Sequence, residues 1–271
     1  MLNLLEEYKN IDLKGSDLIL STSILGFSTI IASKLLSIKQ SFVHIGNYFS
    51  ENISHSITKL VDGYLSNGDC FFNKDKKCLL IVFTTSPSKD NKKSFFEELD
   101  KFIDSNFITK TLLISGFIEE YQTDEELNKK IVEPYYLTNN SEIKEELEKS
   151  GAKSFVELCN LKKDSKKVKE LDECKYLTAS GFSKWFLRNK KKRSQNYAFV
   201  CSFVRHILDV EAALSIYLFL CKYMHLPEKL NEIFTKEDSG KTKIIVPKLS
   251  LNKNITDLEK FFSEEWKKLV S

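Results

Sequence analysis

The chain has 271 residues, of which 42% are hydrophobic and 29% charged, and it carries a formal charge of +3. That length suits one large α/β domain or two modest ones, and that apolar fraction fills a real core, which excludes disorder throughout. A nearly balanced charge excludes a global basic field, so nucleic acid is not expected as a partner.

Leu2, Leu4, Leu5 and Tyr8 predict a short leading helix. The first ten residues carry Glu6 and Glu7 and lack the basic start and long apolar stretch of a signal peptide, so secretion is not expected. Asp17-Leu18-Ile19-Leu20 reads as a buried strand with Ser21-Thr22-Ser23 at its carboxyl end, and Gly26 lets the backbone turn. From Phe27 onward Ile30, Ile31, Leu35 and Ile38 recur near helical spacing. Phe42-Val43-His44-Ile45 is the next strand, stopped by Gly46-Asn47. A strand, helix and strand of this length predict a right-handed crossover between parallel strands. That puts the Ser21 to Gly26 turn at the carboxyl edge of the sheet, where α/β proteins usually bind ligands.

Residues 46–59 read as a long polar connection on that edge. Cys70-Phe71-Phe72 and the run from Cys78 to Phe83 flank a charged stretch and predict a hairpin with a deeply buried second arm. Phe95, Phe96, Leu99, Phe102 and Ile103 form one stripe of a helix over 92–105, and Thr111-Leu112-Leu113-Ile114-Ser115 follows as a buried strand. This second strand, helix and strand unit predicts a mostly parallel sheet covered on both faces, a three-layer sandwich. Tyr135-Tyr136-Leu137 is read as an edge strand, and Ser141 as the cap of a helix over 142–150 ended by Gly151.

Residues 162–175 are dominated by charge and read as an insertion within a single domain spanning 1–271. Ala179-Ser180-Gly181 is a small-residue turn leading into Phe182, Trp185 and Phe186, aromatics that suit a core or an interface. Two helices are expected over 197–223, the second capped by Asp209. Arg205, His206, Asp209 and Glu211 make a membrane span of this stretch costly, so no membrane is expected. Ile244-Ile245-Val246 is a short extended segment, and Thr256 with Glu259 forms a capping box for a terminal helix and tail over 254–271.

No catalytic constellation emerges from these residues. Ser239-Gly240-Lys241-Thr242 imitates the end of a phosphate-binding loop, but Thr235 stands where the motif needs glycine. Ser21, Thr22 and Ser23 could face a substrate, yet no strained nucleophile turn and no neighbouring acid or base accompanies them, so polar residues finishing a strand explain them. The four histidines show no metal spacing, and His44 reads as a half-buried strand residue. The six cysteines contain no C-x-x-C pair and read as reduced thiols. Arg188, Lys190, Lys191, Lys192 and Arg193 form the one concentrated basic run, a solvated loop or else a patch for an acidic surface or nuclear import. A scaffold without chemistry favours a binding protein over an enzyme, with no cofactor. The alternative is an α/β enzyme, such as a nucleoside or phosphoester hydrolase, working at the Ser21 to Gly26 edge.

The order of segments resembles the proteasome assembly chaperone 2 family. Gly26, Ala32, Leu35 and Leu36 fall where that family has its first turn and helix, and His44-Ile45-Gly46 with Tyr48 and Phe49 is similar to its second strand and aromatic exit. Gly181 and Lys184 match a late glycine-rich turn, and Phe203-Val204 with Ala213 and Leu214 match the penultimate helix region. The turn at Phe27-Ser28-Thr29 is poorer in glycine than in relatives, and Arg205-His206-Ile207-Leu208 replaces an acidic loop.

The resemblance implies a fold like a nucleoside phosphorylase without its active site, and no catalysis. It implies a heterodimer with a companion resembling proteasome assembly chaperone 1, and help in assembling the proteasome core α-ring from its α subunits. The expected location is the cytoplasm, with the nucleus as a second compartment. Partner contacts are expected at Gly26, Phe27, Tyr48, Phe49, Gly181 and Lys184. Relatives can also dock a hydrophobic-tyrosine-any tail between α subunits; the residues here are Leu269, Val270 and Ser271, without the tyrosine.

Overall fold

The computed structural model describes residues 2–22, 27–54, 57–60, 63–118, 133–138, 140–156, 182, 185, 196–204, 209–227, 234–236 and 242–244. A nine-stranded sheet organises them, in the order β1-β3-β6-β7-β2-β8-β11-β9-β10. Its strands are β1 (Leu2–Leu4), β2 (Asp17–Thr22), β3 (Val43–Tyr48), β6 (Asp69–Asn73), β7 (Cys78–Phe83), β8 (Thr111–Ile118), β9 (Tyr135–Thr138), β10 (Lys153–Ser154) and β11 (Tyr197–Val204). Two short hairpins lie outside it: β4 (Ile57–Leu60) with β5 (Gly63–Ser66), and β12 (Phe234–Lys236) with β13 (Thr242–Ile244).

The centre is parallel. β7, β2, β8 and β11 run side by side in one direction, with Leu20 opposite both Ile81 and Leu113, and Val200 opposite Ile114. Such strands are buried on both faces, which is why their sequences are nearly continuous apolar runs. Antiparallel strands flank this centre, β6 beside β7 and β9 beside β11. Because β6 reverses direction twice between β7 and β3, the chain leaving β2 through its helix re-enters the sheet in the same sense, but three strands away.

Alternation along the strands divides the core into two. One face carries Leu18, Leu20, Leu79, Phe83, Leu113 and Phe199 beneath helix α2 (Lys92–Ser105), whose Phe95, Phe96, Leu99 and Ile103 are buried. The other carries Ile19, Leu80, Val82, Leu112, Ile114 and Val200 beneath helices α1 (Ser28–Lys39) and α4 (Val210–Tyr223), with α3 (Ser141–Lys149) adding Ile143 and Leu147. Gln40 at the end of α1 locks the two helices by donating to the Tyr217 hydroxyl at 3.0 Å and to the Pro227 carbonyl at 2.8 Å. This is the three-layer α/β sandwich expected, mostly parallel through its centre.

Several local expectations are corrected. Tyr197–Val204 is a strand rather than a helix: it pairs with β8 along its whole length and lies buried on both faces. A run without polar alternation has no period to separate strand from buried helix. Asp209 does cap the helix that follows, its carboxylate accepting from the Ala212 amide at 2.9 Å. The leading segment is strand β1 and a single 3₁₀ turn, Glu6–Tyr8, because Leu2–Leu4 pairs with the outer side of β3.

β3 does not stop at Gly46 but runs on to Tyr48, and the polar connection read over 46–59 ends inside β4, the first arm of the β4–β5 hairpin. Tyr135–Thr138 is not an edge, since β10 pairs beyond it. Asn140 rather than Ser141 caps α3, accepting from the Ile143 amide at 3.0 Å. The aromatics Phe182 and Trp185 belong to the core, with Trp185 stacked on Phe96 at 5.1 Å. Among the described residues no helix is long and apolar enough to cross a membrane. The 162–175 insertion, the 188–193 basic run and the 254–271 helix and tail lie outside the described residues.

Candidate functional site

The carboxyl edge of the parallel strands is where sequence reasoning places the site, and the Ser21 and Thr22 hydroxyls there are engaged internally. Ser21 Oγ donates to the Thr29 carbonyl at 3.1 Å, Thr29 Oγ1 donates to the Thr22 carbonyl at 2.8 Å, and Thr22 Oγ1 donates to the Ile114 carbonyl at 3.1 Å. All three are buried, so they sew β2 to the start of α1 and to β8. Each donates its one hydroxyl proton to a main-chain carbonyl, and among the described residues no histidine or carboxylate is bonded to any of them. A nucleophile needs a base within hydrogen-bond reach, and here the bonds stabilise the fold instead.

A second polar knot holds the adjoining edge. Asn67 Oδ1 accepts from the Thr84 amide at 2.9 Å while its Nδ2 donates to the Ser54 carbonyl at 2.7 Å and to Thr85 Oγ1 at 2.6 Å. Gly68 follows with φ +94°, donating to the Val82 carbonyl and accepting from the Tyr48 amide. A side chain there would collide with Tyr48, so glycine is required for the approach. Asp69 then accepts from the Ser66 amide at 2.9 Å and from Ser66 Oγ at 2.5 Å, which fixes the base of the β4–β5 hairpin. His44 Nε2 lies 3.4 Å from the same carboxylate. The hydrogen bond to Asp69 raises the imidazole above its ordinary range, with burial opposing it and the Asp69 charge and Asn47 assisting. Sequence reading missed Asn67 and Asp69, although Asn-Gly is a recognised turn signal.

The predicted contact residues separate sharply. Tyr48 is only 1% exposed, with its ring edge-on to Phe83, Phe95 and Phe102. Its place in the contact list is therefore corrected: it anchors the core and presents no surface. Burial drives its phenol well above the usual range. Phe49, next in sequence, is 42% exposed.

Its backbone is tied down immediately afterwards. Ser50 Oγ donates to Glu98 Oε2 at 2.6 Å and Asn52 Nδ2 donates to Glu98 Oε1 at 2.7 Å, binding this segment to α2. Ile53 is buried beneath. Phe49 thus stands between a buried anchor and a hydrogen-bonded clamp, an aromatic displayed at little cost in freedom. Phe27 is half-buried at the start of α1, its carbonyl accepting from the Ile31 amide. Gly26, Gly181, Lys184, Leu269, Val270 and Ser271 lie outside the described residues.

No protein-family model and no curated protein matches the chain. Solved structures do. PbaA of Pyrococcus furiosus, an archaeal homolog of proteasome-assembly chaperone, is similar with a TM-score of 0.59 and 14% identity, over 85% of this chain and 88% of that one. PbaB of Pyrococcus furiosus, an archaeal proteasome activator, is similar with a TM-score of 0.61 and 10% identity, over 85% and 91%. A Thermoplasma acidophilum protein of unknown function reaches 0.61 at 12% identity, over 100% and 99%. The chain has the fold these proteins share, in agreement with the resemblance read from its sequence.

Proposed function

We propose that this chain is a non-catalytic chaperone that pairs with a companion assembly chaperone and promotes assembly of the proteasome core α-ring. The single observation that carries this reading is the likeness to PbaA over 85% of this chain and 88% of that one. The carboxyl edge supports it, because Ser21 and Thr22 serve the fold and Phe49 faces outward from a tethered segment. Aromatic anchors held in place are the residues that dominate protein interfaces. The partners are a companion resembling proteasome assembly chaperone 1 and the α subunits themselves. We assign the work to the cytoplasm, with the nucleus as a second compartment.

The likeness to PbaB favours a second reading, in which the chain meets the finished proteasome instead of its precursors. Affinity purification of the tagged full chain, followed by identification of the co-purifying chains, separates the two. Recovery of α subunits and a companion chaperone without β subunits supports assembly. Recovery of complete proteasomes supports the second reading, and recovery of neither overturns both.

A further inference from the structure

The amino-terminal edge of the sheet, opposite the edge discussed above, holds a cavity of about 200 Å³. It lies where β2, β7 and β8 begin, between α3 and the end of α4. Ile19, Leu112 and Met224 give it apolar wall, and Asp17, Lys110, Glu146 and Tyr223 give it polar wall. At roughly 30 Å³ per water, the space suits a molecule the size of a short-chain metabolite rather than a nucleotide.

The polar groups are unequal. Lys110 Nζ lies 2.7 Å from both Glu146 oxygens, so these two charges answer each other. Lys76, at the rim, donates to the His225 carbonyl at 3.0 Å and so caps the end of α4. Asp17 accepts from the Thr109 hydroxyl at 2.5 Å through one oxygen, and no cation among the described residues pairs with it. The Tyr223 hydroxyl makes no hydrogen bond among the described residues. Burial first, then the Glu146 charge and after it the Asp17 charge hold the Tyr223 phenol protonated, and burial followed by the Asp17 charge does the same for the Cys78 thiol.

A free carboxylate oxygen and an unused phenol around an apolar floor are complementary to an ammonium on a short hydrocarbon stem. We propose that this cavity binds a small protonated primary amine, with Asp17 as its counter-ion and Tyr223 as its hydrogen-bond partner.

Isothermal titration of the full chain with isobutylamine hydrochloride tests this, alongside isobutanol and isovalerate as neutral and anionic molecules of similar size. Saturable binding of the amine is expected, at least tenfold tighter than either match. D17N should weaken it at least tenfold and Y223F severalfold, with the circular dichroism spectrum and melting midpoint of each variant checked against the parent. Asparagine keeps the acceptor for Thr109, and phenylalanine keeps the ring stacked on Phe219, so both variants are expected to fold. No saturable binding, equal binding of the three probes, preference for isovalerate, or amine binding unchanged in folded D17N would each overturn the proposal.

Discussion

Gly46 approaches Asn3 so closely that a Cβ on it would stand 2.0 Å from the Asn3 carbonyl oxygen. Gly46 also has φ +145° and sits at the irregularity where β3 shifts register against β6. Edge strand β1 therefore docks only because this position lacks a side chain. Gly46→Ala is expected to destabilise the protein by about 2 to 3 kcal/mol, the scale of a strained backbone position. Urea unfolding measures the loss, and hydrogen exchange should locate it in the amides of residues 2–4.

Tyr48 offers the opposite case, a polar atom that its surroundings do not use. Its hydroxyl is buried without a hydrogen-bond partner among the described residues. Tyr48→Phe is expected to leave stability unchanged or to raise it by up to about 1 kcal/mol, since an unsatisfied buried group is removed. Tyr48→Ala should cost about 3 to 5 kcal/mol through the cavity among Phe83, Phe95 and Phe102. Chemical denaturation of the two variants distinguishes an anchoring ring from a needed hydroxyl.

The His44 and Asp69 pair predicts a pH dependence of definite sign. The folded imidazole titrates above its unfolded value, first because of the Asp69 hydrogen bond, so the protonated form is favoured by folding. Its contribution is complete below the ordinary histidine value and is lost as pH rises through the raised folded one. Stability should therefore decline across that window in the parent and less steeply in Asp69→Asn. An NMR titration of His44 should show its pKa falling toward the ordinary value in that variant. An unchanged titration would mean that Asp69 is not the cause.

Phe49 is the exposed aromatic on which the contact reading leans. Phe49→Glu is expected to change stability by no more than about 0.5 kcal/mol, as for other surface positions. It should weaken capture of the companion chaperone or the α subunits at least tenfold. Parallel melting curves and quantitative pull-downs make the comparison. Equal capture by this variant would remove Phe49 from the interface.

These cases show which features were legible before any coordinates. The apolar runs at Leu18 to Leu20 and Leu79 to Phe83, and the stripe through Phe95, Leu99 and Ile103, declare a covered parallel sheet because burial on two faces leaves a composition that periodicity can read. Asp209 announces its helix for the same local reason. Tyr197–Val204 does not announce its strand, because only the β8 partner decides between strand and buried helix.

The site was less legible, since its relationships are long-range. His44 and Asp69 meet across two strands, Glu98 on α2 fastens Ser50 and Asn52, and Asn3 explains Gly46. Tyr48 and Phe49 look alike as neighbouring aromatics, and only the fold separates the buried ring from the exposed one.

The central claim, assistance in building the α-ring, is tested most directly by reconstitution. Proteasome α subunits are mixed with the companion chaperone, with and without this chain, and ring formation is followed by native mass spectrometry. The account predicts faster and more complete α-rings in the presence of the chain, with the chaperone pair bound to intermediates. Rings that form at the same rate without it, and intermediates that never carry it, would contradict the account.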